Sequence, residues 1–163
     1  MIKLYLIENY KELYPELSGS ELTDKLITDC LSEYGIRNVE ICRTSKGKPY
    51  AEADVHFSVS HSGSYFVCIA ADCPVGIDVQ ERRKAAVSKI AGRYFTESEQ
   101  EYIEEHGEDG FFRLWTRKEA YSKLTGDGLA ELMRGTDVLR RKDVDFTDFQ
   151  IEDGVYCSYC VAV

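Results

Sequence analysis

The stretch Phe111-Phe112-Arg113-Leu114-Trp115-Thr116-Arg117-Lys118-Glu119-Ala120-Tyr121-Ser122-Lys123-Leu124 holds the side chains best suited to chemistry. Read as a helix, it gathers Phe111, Leu114, Trp115 and Tyr121 on one apolar face, with Glu119 and Lys123, four apart, together at its border. A carboxylate and an ammonium there suit a metal ligand or base and a phosphate clamp. The same spacing also suits an ordinary helix-stabilising pair worth ~0.2–0.5 kcal/mol. Asp78 stands within the apolar run Val75-Gly76-Ile77-Asp78-Val79, where an acid is costly without a partner, and Gln80 faces the same side of a strand. Asp78, Glu119 and the Gln80 amide oxygen would make a hard oxygen site for Mg²⁺, completed by waters and substrate phosphates. The plainer alternative puts Asp78 at an exposed strand end. Arg43, Lys46 and Lys48 share a glycine-proline turn that can hold phosphate through a guanidinium fork and point charges, or simply be solvated. Ser58-Val59-Ser60-His61-Ser62-Gly63 has no Gly-x-Ser-x-Gly elbow and no clear Asp partner after it, so His61 suits a phosphate donor better than a nucleophile's base. Phosphate chemistry is what these parts share.

Positioning them requires a definite set of elements. Ile2–Ile7 reads as a short buried strand. A helix follows from Ser20, capped by Ser18 or Ser20 and stopped by Gly35. Val39–Cys42 reads as a strand and Lys46–Pro49 as a turn. Val55, Phe57 and Val59 alternate with His56, Ser58 and Ser60, the pattern of a half-buried strand. Gly63 turns the chain into a strand over Tyr65–Ala71, and Val75–Gln80 begins another. Lys89–Tyr94 suits a short helix. Thr96 and Glu99 form a capping box that opens a helix over Ser98–Glu105, and the helix Phe111–Leu124 ends at Gly126-Asp127-Gly128. Segments around Val138–Arg140, Phe146–Ile151 and Val155–Val163 read as antiparallel strands, with a turn at Asp153-Gly154. The series strand, helix, strands thus occurs twice, which predicts an α+β fold divided into residues 1–74 and 75–163, without a sequence repeat.

Composition narrows the function classes. The 163 residues carry 20 Lys+Arg against 29 Asp+Glu, a formal charge of −9, with 44% hydrophobic residues. That much apolar content argues against disorder. The acidic balance argues against nucleic-acid binding, although a basic pocket remains compatible with it. No apolar run approaches the ~20 residues of a membrane span, and the first residues lack the features of a signal peptide, so the chain is expected to be cytoplasmic. Six cysteines are then expected to be reduced and mostly buried. Cys157 and Cys160 have knuckle spacing but no second pair for zinc.

The order and wording of five segments resemble the 4′-phosphopantetheinyl transferases, more narrowly those that activate peptide, polyketide and fatty-acid synthases. The segments are Lys46-Gly47-Lys48-Pro49, Phe57-Ser58-Val59-Ser60-His61-Ser62-Gly63, Gly76-Ile77-Asp78-Val79, Trp115 to Lys123, and Thr125-Gly126-Asp127-Gly128-Leu129. Ile90 to Glu99 also resembles that family's connecting segment. The resemblance covers Arg43 to Leu129.

It implies two pseudo-symmetric α+β halves with the active site in a cleft between them. It implies Mg²⁺-dependent transfer of 4′-phosphopantetheine from coenzyme A to a serine of an apo acyl or peptidyl carrier protein. Asp78 and Glu119 would hold Mg²⁺, with Gln80 at the position where many members have an acid. Glu119 would also act as base and Lys123 would stabilise the phosphates and leaving group. Arg43, Lys46, Lys48, Ser60 and His61 would grip the nucleotide end. A monomer suffices for such a cleft, and no nucleic-acid or membrane partner is expected. The chain is shorter than is usual for the two-half type, before Arg43 and after Leu129. With Gln80, this motivates an alternative: a non-catalytic module that binds coenzyme A or a carrier protein. The charge pattern predicts a basic cleft on an acidic body.

Overall fold

The computed structural model describes residues 1–130 and 135–163. Two three-stranded antiparallel sheets carry the fold. The first has β1 (Ile2–Glu8), β5 (Tyr65–Ala71) and β4 (His56–Ser62) in that order. The second has β6 (Val75–Glu81), β8 (Val155–Ala162) and β7 (Val144–Glu152). Both follow one rule: an opening strand pairs with the last strand of a later hairpin. Helix α1 (Gly19–Tyr34) intervenes in the first case, and α2 (Val87–Tyr94) and α3 (Glu97–Thr125) in the second. A small hairpin of β2 (Ile41–Arg43) and β3 (Pro49–Ala51) carries the basic turn. The architecture is α+β.

Helix α1 buries Leu22, Leu26, Ile27 and Leu31, a stripe at helical spacing, against Phe57, Phe66 and Cys68 of the first sheet. Gly35 ends it in the left-handed conformation. The other face of β5, with Val67 and Ile69, packs on Ile77, Val79 and Cys157 of the second sheet. The central strand β5 is therefore covered on both faces, and all seven of its residues are buried.

Several elements differ from the sequence expectation. The strand Ile2–Ile7 is not buried: it is the edge of its sheet, with Ile2, Leu4 and Leu6 exposed while Tyr5 and Ile7 pack toward α1. Strand β4 is not half-buried, because Ser58 and Ser60 on its polar face are themselves buried. Residues 138–140 form a turn rather than a strand. Helices do form over 98–105 and 111–124 as expected, as the two limbs of α3 on either side of an interruption at Gly107, whose φ of 65° and ψ of −146° suit glycine alone.

That interruption is a reversal, not a gentle bend. Glu99 and Lys118 would stand ~28 Å apart along a straight helix, yet Lys118 Nζ lies 2.8 Å from Glu99 Oε1. Arg113 likewise donates to the Tyr102 hydroxyl across the break at 2.5 Å. The Thr96–Glu99 capping box forms as expected, and Glu99 Oε1 accepts the Thr96 N–H at 2.9 Å. No helix among the described residues is long and apolar enough to cross a membrane. All six cysteines are free.

Candidate active site

The limb 108–125 of α3 lies directly on β6. The closest approach is at Gly76, where a Cβ would overlap the Ala120 carbonyl oxygen and lie 2.8 Å from the Leu124 nitrogen. Ala120 and Leu124 each follow a residue singled out above, Glu119 and Lys123. The missing side chain at Gly76 therefore lets the helix settle low enough for those two to meet Asp78.

Asp78 is buried, not at an exposed strand end. Its Oδ1 accepts from Ser60 Oγ at 2.9 Å and from Lys123 Nζ at 2.9 Å. Lys123 Nζ also donates to the Ile77 carbonyl at 3.0 Å. The Glu119–Lys123 helix pair is thus not what the ammonium serves; it reaches across to the strand. Glu119 receives no hydrogen bond from any described residue. Burial and the negative charge of Asp78 push its carboxyl up to about 7, against the opposing pull of Lys123 and Arg83.

A cleft of about 260 Å³ opens beside this group, lined by Lys46, Lys48, Phe57, Lys123 and Asp127 among others. Lys48 Nζ donates to the Lys123 carbonyl, so the basic turn is tied to the last turn of α3, where a cation also favours the helix dipole. Burial depresses the Lys48 pKa.

The remaining candidates are engaged in other contacts. Arg43 forms an ion pair with Asp24 of α1 at 2.5 Å. His61 follows Ser60 but points to the opposite face of β4. There it lines a separate cavity of about 520 Å³ with Tyr10, Lys11 and Thr23. Partial desolvation, then the Lys123 and Lys11 cations, lower its pKa. Gln80 donates its amide N–H to the Glu81 carbonyl at 2.8 Å. The structure thus assembles Ser60, Asp78, Glu119, Lys123 and Lys48, with Lys46 on the cleft wall, and leaves Arg43, His61 and Gln80 at other contacts.

No group of three or more acidic, His or Cys side chains suited to a metal occurs among the described residues. The two carboxylates of Asp78 and Glu119 nevertheless fit Mg²⁺, which commonly takes one or two carboxylates and fills its other positions with water and phosphate oxygen. Burial first, and then the neighbouring Asp78 carboxylate, disfavour the charged form of Glu119, and a bound cation would offset both.

Sequence reasoning missed the supports. Lys118 and Glu99 are fully buried and paired, with Lys118 Nζ also donating to the Thr136 carbonyl at 2.6 Å. The signal was present: Lys118 lies on the stripe Phe111-Leu114-Lys118-Tyr121, so it had to be buried with that face. Arg117 takes Asp148 of β7 in a forked pair, Nε to Oδ1 at 2.9 Å and Nη2 to Oδ2 at 2.5 Å. Of the basic run Arg113, Arg117, Lys118 and Lys123, only Lys123 lines the cleft.

Comparison with known proteins agrees with this architecture. Residues 74–161, just over half of the chain, match the family model described as the 4′-phosphopantetheinyl transferase superfamily. The chain is 35% identical over 125 residues to the 4′-phosphopantetheinyl transferase gsp of Aneurinibacillus migulanus, covering 74% of this chain and 52% of that protein. It is 36% identical over 114 residues to a 4′-phosphopantetheinyl transferase of Bacillus subtilis, covering 66% and 50%. With the 4′-phosphopantetheinyl transferase HetI of a Nostoc species it shares 37% identity over 99 residues, covering 54% and 42%. The chain spans about half the length of the first two relatives and somewhat less of the third.

Proposed function

The chain belongs to the 4′-phosphopantetheinyl transferase superfamily, and from that premise we propose that it transfers the 4′-phosphopantetheinyl group of coenzyme A to a serine of an apo acyl or peptidyl carrier protein. The observation that carries the reading is the meeting of Asp78, Glu119 and Lys123, from β6 and α3, at the edge of a cleft walled by Lys46 and Lys48.

In the proposed reaction the carrier serine oxygen bonds to the phosphorus bearing the pantetheine arm. The bond from that phosphorus to the bridging oxygen breaks, and adenosine 3′,5′-bisphosphate leaves. The serine proton passes to Glu119, directly or through water, a role suited to a carboxylate to which no described residue donates a hydrogen bond. Lys123, anchored by Asp78 and the Ile77 carbonyl, offers its charge to the pyrophosphate. Lys46 and Lys48 face the nucleotide's anionic end. Asp78 and Glu119 are the residues that would hold Mg²⁺, which when bound supplies charge neutralisation to the phosphate groups. The division of labour between residues 1–74 and 75–163, action as a monomer, and a cytoplasmic setting belong to the same proposal.

The test is incubation with coenzyme A, Mg²⁺ and a panel of apo carrier proteins, read by mass spectrometry as a gain of ~340 Da, the size of the transferred group. Glu119→Ala abolishes the gain, while Lys48→Ala chiefly weakens coenzyme A binding. Absence of any gain, where a control transferase succeeds, overturns the reading. Gln80, bonded to a backbone carbonyl, favours one other reading, a module that binds coenzyme A or a carrier without transfer. Calorimetric binding with no turnover, unrescued by Gln80→Glu, would identify it.

A further inference from the structure

Strands β4 and β6 run side by side where the two sheets meet, but they are not paired by backbone hydrogen bonds. Serine side chains join them instead. Ser58 Oγ accepts the Ile77 N–H at 3.1 Å, Ser60 Oγ accepts the Val79 N–H at 3.2 Å, and Ser62 Oγ accepts the Glu81 N–H at 2.9 Å. Alternate residues of one strand thus meet alternate residues of the other at a constant offset. The hydroxyls stand where a neighbouring strand's carbonyls would otherwise be.

A hydroxyl has one proton and two acceptor positions. The Val79 N–H fixes the Ser60 oxygen, and the Ser60 proton then goes to Asp78 Oδ1. No other hydroxyl of the seam touches a carboxylate of the site. Lys123 donates to the same oxygen, Oδ1, and among the described residues nothing donates to Oδ2. The two donors therefore set the rotation of the carboxylate and leave one oxygen turned outward.

We propose that Ser60 is a positioning residue for Asp78: the serine seam sets the register between the sheets, and Ser60 transmits that register to the carboxylate, holding Oδ1 inward and Oδ2 available to ligand. This rests on the transferase reading for its catalytic consequence, but not for the contact itself. It also gives Ser60 a different role from the nucleotide contact that the family resemblance implies.

Two measurements decide it. The first uses metal-free protein and denaturant unfolding, in a double-mutant cycle of Ser60→Ala with Asp78→Ala. The expected coupling is about tenfold or more in the folding equilibrium constant, as for a hydrogen bond to a charged group. The parallel cycle of Ser62→Ala with Asp78→Ala, which loses a seam hydroxyl without an Asp78 contact, shows coupling within about twofold. If Ser60→Ala does not fold, Ser60→Cys, which keeps the volume but surrenders the strong donor, enters the same cycle. Equal coupling in the two cycles overturns the proposal.

The second measurement separates kcat from KM. Ser60→Ala lowers kcat about tenfold or more with KM for coenzyme A changed less than about threefold, Ser60→Thr restores most of the loss, and Ser62→Ala retains wild-type kcat. A raised KM with unchanged kcat makes Ser60 a nucleotide contact instead and overturns the proposal. If the wild-type protein transfers nothing to any carrier, the transferase reading fails, while the unfolding cycles still decide whether Ser60 holds Asp78.

Discussion

Glu119 is the residue where the fold and the proposed chemistry pull against each other. Its carboxyl, moved from about 4.5 to about 7 by burial and by Asp78, binds a proton more tightly folded than unfolded. The sign follows from linkage: the contribution is fully favourable below about 4.5 and is lost as the pH rises through about 7. Urea midpoints of the metal-free protein should therefore fall across that window, and Glu119→Gln should flatten the fall. Added Mg²⁺ should recover stability above it if the two carboxylates hold the ion. Tyr5 offers a cleaner test. Its hydroxyl is the one buried side-chain polar atom without a hydrogen-bond partner among the described residues. Tyr5→Phe removes the unsatisfied group and keeps the ring, so it should raise stability by about 1 kcal/mol in urea unfolding. Residues such as Asp78 and Lys123 were legible in the sequence because an acid in an apolar strand and a cation bordering an apolar helix face demand partners. The identity of the partner was not legible. Lys123 was expected beside Glu119 from its spacing, and only the approach of α3 to β6 turns it to Asp78.

At the scale of elements, that approach depends on Gly76. Gly76→Ala must push the helix backbone away from β6, because the Cβ meets main-chain atoms of Ala120 and Leu124 that cannot rotate aside. A loss of about 1–3 kcal/mol is expected on thermal or urea unfolding, with transfer activity falling further than stability because Glu119 and Lys123 move with the helix. The reversal at Gly107 has a comparable dependence. Lys118 joins the two limbs of α3 through Glu99, and neither side chain is exposed. Lys118→Ala leaves a buried carboxylate uncompensated and should cost about 3–5 kcal/mol. Replacing both residues by apolar ones should not recover all of it, since Glu99 also accepts the Thr96 and Val138 N–H groups. Strands with clear alternation or clear turns, β5, β7 and β8, were legible from local pattern. The edge position of β1 was not, because an apolar run reads alike in the middle of a sheet and at its rim. The reversal of α3 was hidden for a related reason: two helices with a glycine between them do not announce their angle.

For the molecule as a whole, the net charge of −9 is opposed locally by Lys46, Lys48 and Lys123 along the cleft. Coenzyme A binding should therefore weaken as ionic strength rises, seen as an increase in Kd by calorimetry from low to physiological salt, where the screening length falls to about 8 Å. A flat response would mean these lysines do not face the ligand's phosphates. The α+β class and the repeated series of elements were legible in the sequence; how the two sheets are fastened was not, because serines alternating with apolar residues look like a solvent-facing strand. The pairing of β1 has a further consequence, in time rather than in space. Ile2 lies opposite Ala71 and Glu8 opposite Tyr65, so a growing chain cannot complete its first sheet until residue 71 has emerged. Until β5 begins to emerge at Tyr65, Tyr5 and Ile7, like Ile2, Leu4 and Leu6, have no partner strand beside them. During synthesis the opening strand must wait, and that interval is when the nascent chain is most open to wrong pairing.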